Sequence, residues 1–427
     1  MSNFNKFIIK GGNPLNGEID VRGSKNAALP IIAATLLTKD KCTISNLPRV
    51  LDVFCMLEIL QQLGSDVKWA NKRTVEITNS KISPDNLASG AVKKMRASIL
   101  FLGPLLARFG KVEKMRYPGG CSIGARPIGI HLEAFRDLGA KVTLSDNFFS
   151  VEFPARCKIP PKIILNEFSV TATENILAFL SSIPQKTEIR IAAAEPHVVD
   201  LAKFISKMGA RIKGAGTSTI SILGSRHLNG ASHKIIPDYI EAGTFILSVL
   251  GAGGSVAIKN APVSHLDLFI KKLTSAGADI QIIRGKNIVK VGASNPMVIA
   301  KIKTMPYPGI PSDLQSSFAA LATQTIGDTF IHETLYEGRL ACLREINKMG
   351  ARIKILDPHR AVIAGPVKLT GAEVSASDLR GGAALVIAGL MASGTTTING
   401  AEHVERGYED LDGRLRALGA DIVKIKN

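Results

Sequence analysis

Two kinds of stretch alternate along this chain. One is a long Ala/Leu/Ile-rich run, such as ALVIAGLMA at 384–392, with the composition of a helix. The other is short and β-branched with apolar and polar residues alternating, as in ADIQII, and RTVEITN and NIVKVGA read as further strands. The joins between them recur. Six copies of one phrase read LGSDV, LGAKV, MGARI, AGADI, MGARI and LGADI, centred on Gly64, Gly139, Gly209, Gly277, Gly350 and Gly419. Each follows a helix-like stretch and precedes a β-branched one. Each glycine is therefore expected to end a helix in the left-handed conformation, with a strand after it.

The copies stand roughly 70 residues apart, so six units fill the chain. A second join opens each Ala/Leu/Ile-rich helix. Its versions are GSKNAALPIIAA (23–34), KKMRASILFLG (93–103), FSVTATENILA (168–178), PDYIEAGTFIL (237–247), PSDLQSSFAAL (311–321) and SDLRGGAALVI (377–387). Short strands follow in five units: CTISN, TEIRI, SVAIKN, DTFIHE and TTTING. A loop, a second helix and the glycine phrase complete a unit of two helices and about four strands. The last unit stops early, at ADIVKIKN, and FIIKGGNPLNGEIDVRGSKN resembles AVIAGPVKLTGAEVSASDLR in strand, turn and strand order. The N-terminal strands are thus expected to complete the sixth unit. Three units would form one domain, 22–236, and three more a discontinuous one, 1–21 with 237–427. A period near 70 is too long for common solenoids, which favours two closed α/β domains.

Composition narrows the class. The 427 residues carry 45% hydrophobic and only 5% aromatic side chains, so aliphatic cores are expected. Five cysteines (Cys42, Cys55, Cys121, Cys157, Cys342) show no C-x-x-C spacing, against a disulfide framework or zinc site and for a reducing compartment. The opening MSNFNKFIIKGG lacks a signal-peptide apolar run, and no apolar stretch reaches the about 18 residues of a membrane span. A soluble, cytoplasmic protein is expected. The net charge of +17 leaves two readings: a solvated basic surface, or an anionic partner. Lys and Arg are scattered, without basic runs interleaved with aromatics, which argues against nucleic acid.

Charge gathers at two joins of the repeat. The helix starts carry Lys25 and Asn26, Arg96, Asp238 and Glu241, Asp313, and Asp378 with Arg380. The joins before the second helices carry Arg126, Arg339 and Arg406. Acidic residues there, Asp313 and Asp378 among them, are first of all N-cap candidates. Cations at a helix start oppose the dipole, so they answer either to acidic neighbours or to a shared anionic ligand. One loop differs from its equivalents: YPGGCSIGARPIGIH, 117–131, with Gly119, Gly120, Gly124 and Gly129 around Cys121 and Arg126. A Gly-rich loop with a thiol beside a cation reads as a lid bearing a reactive cysteine. No P-loop, dinucleotide fingerprint, metal-ligating His pair or G-x-S-x-G elbow occurs.

Taken together, GSKNAALP, PGGCSIGARP, SVTATEN, PDYIEAGTF, PSDLQ, SDLRGGAALVIAG and ERGYEDLDGRLRALGA resemble the UDP-N-acetylglucosamine 1-carboxyvinyltransferases, enolpyruvyl transferases of peptidoglycan synthesis. The resemblance runs through the whole chain in order, and the cysteine loop is its most specific part. The shikimate-pathway enolpyruvyl transferases share the sixfold architecture but lack that loop. The resemblance implies two inside-out α/β barrel-like domains, helices inside and sheets outside, closing over a cleft. It implies transfer of the enolpyruvyl group of phosphoenolpyruvate to the 3′-hydroxyl of UDP-N-acetylglucosamine with release of phosphate, and no cofactor or metal.

By the same resemblance Cys121 is the proton donor to C3 and Asp313 assists the sugar hydroxyl, with Lys25 and Arg406 also catalytic. Lys25, Arg96, Arg126 and Arg406 contact phosphoenolpyruvate, supported by Arg339 and Arg380. Asn26, Leu335 and Asp378 join the substrate-binding set. Arg126, Pro127, Ile128, Gly129 and Ile130 line the uridine side, while Ser169 and Val170 approach the diphosphate. Fosfomycin is an expected covalent inhibitor at Cys121. Two positions depart from the family pattern: Gly129 in RPIGIH, where R-P-V-D-L-H is common, and Thr171 after Ser-Val, where Gly is usual. Both touch nucleotide binding. They leave a second reading, the same reaction on another uridine nucleotide, and a third is a non-catalytic basic binding protein on the same scaffold.

Overall fold

The computed structural model describes residues 5–84, 87, 92–93, 95–119, 128–155, 157–283, 285–292 and 296–426. The chain divides into two compact units, crossing between them after Arg22 and again after Ile236. One unit comprises the N-terminal segment through Arg22 and the chain from Pro237 onward, and the other comprises the described residues between Gly23 and Ile236. In the first, Asp238 N–H donates to Arg22 C=O (2.8 Å), and in the second Ser24 N–H donates to Ile236 C=O (2.8 Å).

In the first unit, helices Tyr239–Ala252, Ser312–Ala322 and Leu379–Met391 pack against one another and are buried on nearly every side. A helix apolar all round has no face to give to water, so it becomes the core. Small residues let the axes approach. A Cβ on Gly243 would meet Leu314 Cδ1 at 2.6 Å, so this contact between two of the helices requires glycine.

Sheets cover the helices, and their strands show the burial alternation that the sequence pattern predicts. Gly327–His332 is typical. It pairs in parallel with Lys301–Lys303 and antiparallel with Arg360–Gly365, which in turn pairs with Arg352–Asp357. The outer parallel strand comes from the preceding repeat, so within this unit each repeat completes its neighbour's sheet. The N-terminus closes this cycle. Lys6–Lys10 lies between Thr395–Asn399 and Asp421–Ile425, and Leu15–Asp20 runs parallel to Gly254–Lys259. In the second unit Ser232–Lys234 closes the cycle by pairing in parallel with Cys42–Ser45.

All six phrase glycines have positive φ, from +90° at Gly350 to +123° at Gly209. Strands follow each, such as Asp66–Asn71 after Gly64 and Arg352–Asp357 after Gly350. An alanine there must adopt a left-handed backbone, at about 1–2 kcal/mol. Gly277 has room for a Cβ, its nearest atom being Pro296 O at 3.7 Å, whereas at Gly64 a Cβ would meet Lys81 O at 2.2 Å. Urea denaturation is therefore expected to place Gly277→Ala about 1–2 kcal/mol below the wild type and Gly64→Ala lower still. Equal losses would contradict this packing.

Two expectations need correction. The helix start at 93–103 is not α-helical from its first residue: Arg96–Phe101 is a 3-10 helix and the α-helix begins at Leu102. The second repeat also has a strand, Lys111–Arg116, that the alternation did not single out. Its adjacent polar residues Glu113 and Lys114 break the alternation, and its pairing with Phe148–Glu152 shifts register between Val112 and Met115. No helix among the described residues is long and apolar enough to cross a membrane.

Candidate functional site

Three helix starts gather charge in the first unit. Asp378 and Asp238 cap their helices: Asp378 Oδ1 accepts from Arg380 N–H (2.9 Å) and Gly381 N–H (3.0 Å), and Asp238 Oδ1 accepts from Ile240 N–H (2.8 Å) and Glu241 N–H (3.2 Å). Asp313 does not. The cap position of its helix is Pro311, so Asp313 stands two residues too far along to cap. Its carboxylate is instead held by two guanidinium groups. Arg339 Nη2 donates to Oδ1 and Arg380 Nη2 to Oδ2, each at 2.9 Å. The Arg339 and Arg380 side chains are 3% and 4% exposed, against 26% for Asp313. The carboxylate is thus fixed by two buried guanidinium groups and is itself partly exposed.

Each arginine is itself positioned. Arg339 Nε donates to Ser312 Oγ (3.3 Å), which donates to Glu333 Oε2 (2.9 Å), and Arg339 Nη1 lies 3.6 Å from Asp378 Oδ1. Arg380 lies over the Tyr408 ring at 5.2 Å. Burial alone would depress the Arg380 guanidinium, but Asp313, Tyr408 and Asp238 outweigh it and raise it, so its charge is permanent. Burial pushes the Asp238 carboxyl up and Glu241 adds to this, while Arg380 and the capping N–H groups oppose it. Glu241 is bound in turn by Arg414, whose Nη1 donates to Oε1 and whose Nη2 donates to Oε2 (3.3 Å) and to Asp20 C=O (2.7 Å). Arg406 follows the short helix Ala401–Glu405, and Leu335 is exposed beside Glu333.

The second unit holds the other expected residues. Lys25 opens helix Lys25–Ala34, capped by Ser24, and its Nζ pairs with Asp52 Oδ2 at 3.0 Å. Here the acidic-neighbour reading of a helix-start cation applies. Asn26 follows in the same turn, and Arg96 opens the 3-10 helix. Ser169 caps helix Val170–Leu180 through its Oγ, which accepts from Ala172 N–H at 3.4 Å. Ile128 precedes helix Gly129–Asp137, in which Ile130 is the second residue. Cys121, Arg126, Pro127, Gly120 and Gly124 lie outside the described residues. At the loop's near end, a Cβ on Gly119 would meet Lys93 O at 1.8 Å, so this glycine serves a close backbone approach.

Among the remaining cysteines, burial pushes the Cys42 thiol up to about 11 and the Cys342 thiol up to about 12, so both are unreactive at neutral pH. Among the described residues no group of three His, Cys, Asp or Glu could hold a metal. The sequence reading missed several partners: Asp52, Glu333, Tyr408 and Arg414. Asp52 is the second residue of helix Leu51–Leu63, so an acidic residue in the first turn of a second helix was the available signal.

The family model of EPSP synthase (3-phosphoshikimate 1-carboxyvinyltransferase) matches residues 9–415. UDP-N-acetylglucosamine 1-carboxyvinyltransferase 1 of Caldanaerobacter subterraneus subsp. tengcongensis is 46% identical over 98% of this chain and 99% of its own. UDP-N-acetylglucosamine 1-carboxyvinyltransferase 2 of Carboxydothermus hydrogenoformans is 43% identical over 99% of this chain and 100% of its own. Among solved structures, the enolpyruvyl transferase NikO of Streptomyces tendae superposes with a TM-score of 0.88 over the whole of both chains at 24% identity. EPSP synthase of Acinetobacter baumannii superposes at 0.73 and 18% identity, over 99% of this chain and 100% of its own. Both share the two-unit α/β fold of the enolpyruvyl transferases, and the identities of 43–46% narrow the relationship further. The chain belongs to the EPSP synthase family and, within it, to the UDP-N-acetylglucosamine 1-carboxyvinyltransferases.

Proposed function

We propose that this protein transfers the enolpyruvyl group of phosphoenolpyruvate to the 3′-hydroxyl of UDP-N-acetylglucosamine and releases phosphate, a step of peptidoglycan synthesis. The observation that carries the reading is Asp313, accessible yet fixed by two buried arginines. A base for a sugar hydroxyl must be held still and remain reachable.

In the reading, Cys121 gives its thiol proton to C3 of phosphoenolpyruvate, and the cationic character so created at C2 is met by the sugar oxygen as Asp313 takes the hydroxyl proton. The tetrahedral adduct then loses phosphate from C2 and a proton from C3. Lys25, Arg96, Arg126 and Arg406 hold the phosphate and carboxylate, with Arg339 and Arg380 supporting and Lys25 and Arg406 acting in catalysis. Asn26, Asp378 and Leu335 belong to the substrate-binding set. Arg126, Pro127, Ile128, Gly129 and Ile130 line the uridine, and Ser169 and Val170 approach the diphosphate. Fosfomycin, an epoxide, would alkylate Cys121.

Phosphate release from phosphoenolpyruvate is expected only when UDP-N-acetylglucosamine is present. Release with a different uridine nucleotide alone would keep the reaction and change the acceptor. Absence of release with every uridine nucleotide, from folded protein, would refute the proposal.

A further inference from the structure

A chain of hydrogen bonds with a fixed direction runs through the second unit to the start of helix Val170–Leu180. It begins at Gly103, whose N–H donates to Asn175 Oδ1 at 2.8 Å. A backbone N–H only donates, so this side-chain atom is the amide oxygen. The Asn175 Nδ2 group is then a donor twice over: to Ile99 C=O at 2.9 Å and to His131 Nδ1 at 2.9 Å. His131 Nδ1 is therefore an acceptor and carries no proton.

His131 is 1% exposed, in the first turn of helix Gly129–Asp137. Burial first, and then the positive charge of Arg96, push its imidazole down to about 3, so the ring is neutral at physiological pH. With Nδ1 bare, the single ring proton sits on Nε2, and Nε2–H donates to Thr171 Oγ1 at 3.1 Å. The Thr171 hydroxyl has thus accepted, and its own proton is free to turn outward. No acceptor among the described residues takes it, whereas Thr173, two positions on, donates its hydroxyl proton back to Ser169 C=O at 2.8 Å. Thr171 is the second residue of its helix and half-buried. The first-turn N–H groups there have no intrahelical acceptor and favour an anion.

We propose that the Thr171 hydroxyl donates a hydrogen bond to the diphosphate of the bound nucleotide, and that His131, oriented by Asn175, is the positioning residue that makes it a donor. The inference rests on the reading above that places the diphosphate at Ser169 and Val170. A hydroxyl facing an anion is useful only as a donor, because a phosphate oxygen has only lone pairs to offer. If His131 carried its proton on Nδ1 instead, Nε2 would take the Thr171 proton and the hydroxyl lone pairs would meet the anion. Asn175 prevents this, because its amide offers N–H to the ring. The threonine that replaces the family's usual glycine is then an added contact.

Calorimetry with UDP and with uridine as probes tests this on the full chain. Thr171→Val keeps the shape and removes the hydroxyl. It is expected to weaken UDP by about 10–100-fold, the worth of a hydrogen bond to a charged group, and to change uridine less than about two-fold. Thr171→Ser is expected to recover most of the UDP affinity. Asn175→Asp, which offers His131 only an acceptor, should flip the ring proton and weaken UDP as well. The double variant Thr171→Val with Asn175→Asp should be no weaker than either alone, because both remove one donor. Nitrogen NMR of labelled histidine is expected to show a neutral Nε2–H ring in the wild type. UDP binding unchanged in Thr171→Val, or an Nδ1–H ring in the wild type, overturns the proposal. Wild-type protein that binds neither UDP nor uridine overturns the nucleotide reading itself, and this inference with it.

Discussion

Asp313→Asn is expected to lower phosphate release by about 10²–10⁴-fold, the range of a lost proton transfer. The substitution is nearly isosteric and keeps one oxygen to accept from Arg339 or Arg380. It removes the carboxylate that would take the sugar proton. Both arginines stay where they are, because Arg339 is also bonded to Ser312 and Arg380 lies on Tyr408. The loss should therefore appear in kcat, with KM for phosphoenolpyruvate changing much less. Steady-state phosphate release at saturating substrates reads this directly. A rate within about three-fold of the wild type would remove Asp313 from the chemistry.

A second large effect is expected on stability. Arg414→Ala leaves Glu241 buried at 4% exposure without its counter-charge. Breaking a buried ion pair by removing one partner costs about 3–5 kcal/mol. Arg414 also lies 4.7 Å from the Phe245 ring centroid and donates to Asp20 C=O, while Glu241 Oε2 accepts from Arg22 N–H at 2.7 Å. The pair thus fastens the N-terminal segment to the helix starting at Tyr239 and to helix Leu411–Ala417. Calorimetry should show the melting temperature falling by about 6–20 °C, at about 2–4 °C per kcal/mol for a unit of this size. Glu241→Leu combined with Arg414→Leu should recover much of the loss, since apolar replacement of a whole buried pair is often neutral. A shift under 2 °C in Arg414→Ala would show that the pair contributes little.

The repeat was legible in the sequence because its signals are local. A glycine that must take positive φ, followed by β-branched alternation, reports a helix end and a strand wherever it occurs, and all six phrases behave so. The resemblance of 7–26 to 361–380 likewise marked the strands that Lys6–Lys10 and Leu15–Asp20 supply. The 3-10 start at Arg96 and the register shift at Val112 were not legible. In both places polar residues interrupt the period on which the reading depends.

The candidate site divides along the same line. Sequence by itself determined which residue types stand at the helix starts: Lys25, Asp238, Asp313, Asp378 and Arg380 all lie at joins the repeat had marked. It did not determine what each one touches. Lys25 meets Asp52 across 27 residues, Asp313 meets Arg339 across 26 and Arg380 across 67, and Glu241 meets Arg414 across 173. Such pairs form because closed three-repeat units bring distant helix ends together, and no local pattern encodes the distance between them. Capping depends on a residue's own neighbours; it is expected of Asp313 and Asp378, and it holds for Asp378 and also for Asp238. At Asp313, two residues beyond the cap position of its helix, only the tertiary structure decided that the carboxylate faces two arginines and not its own backbone.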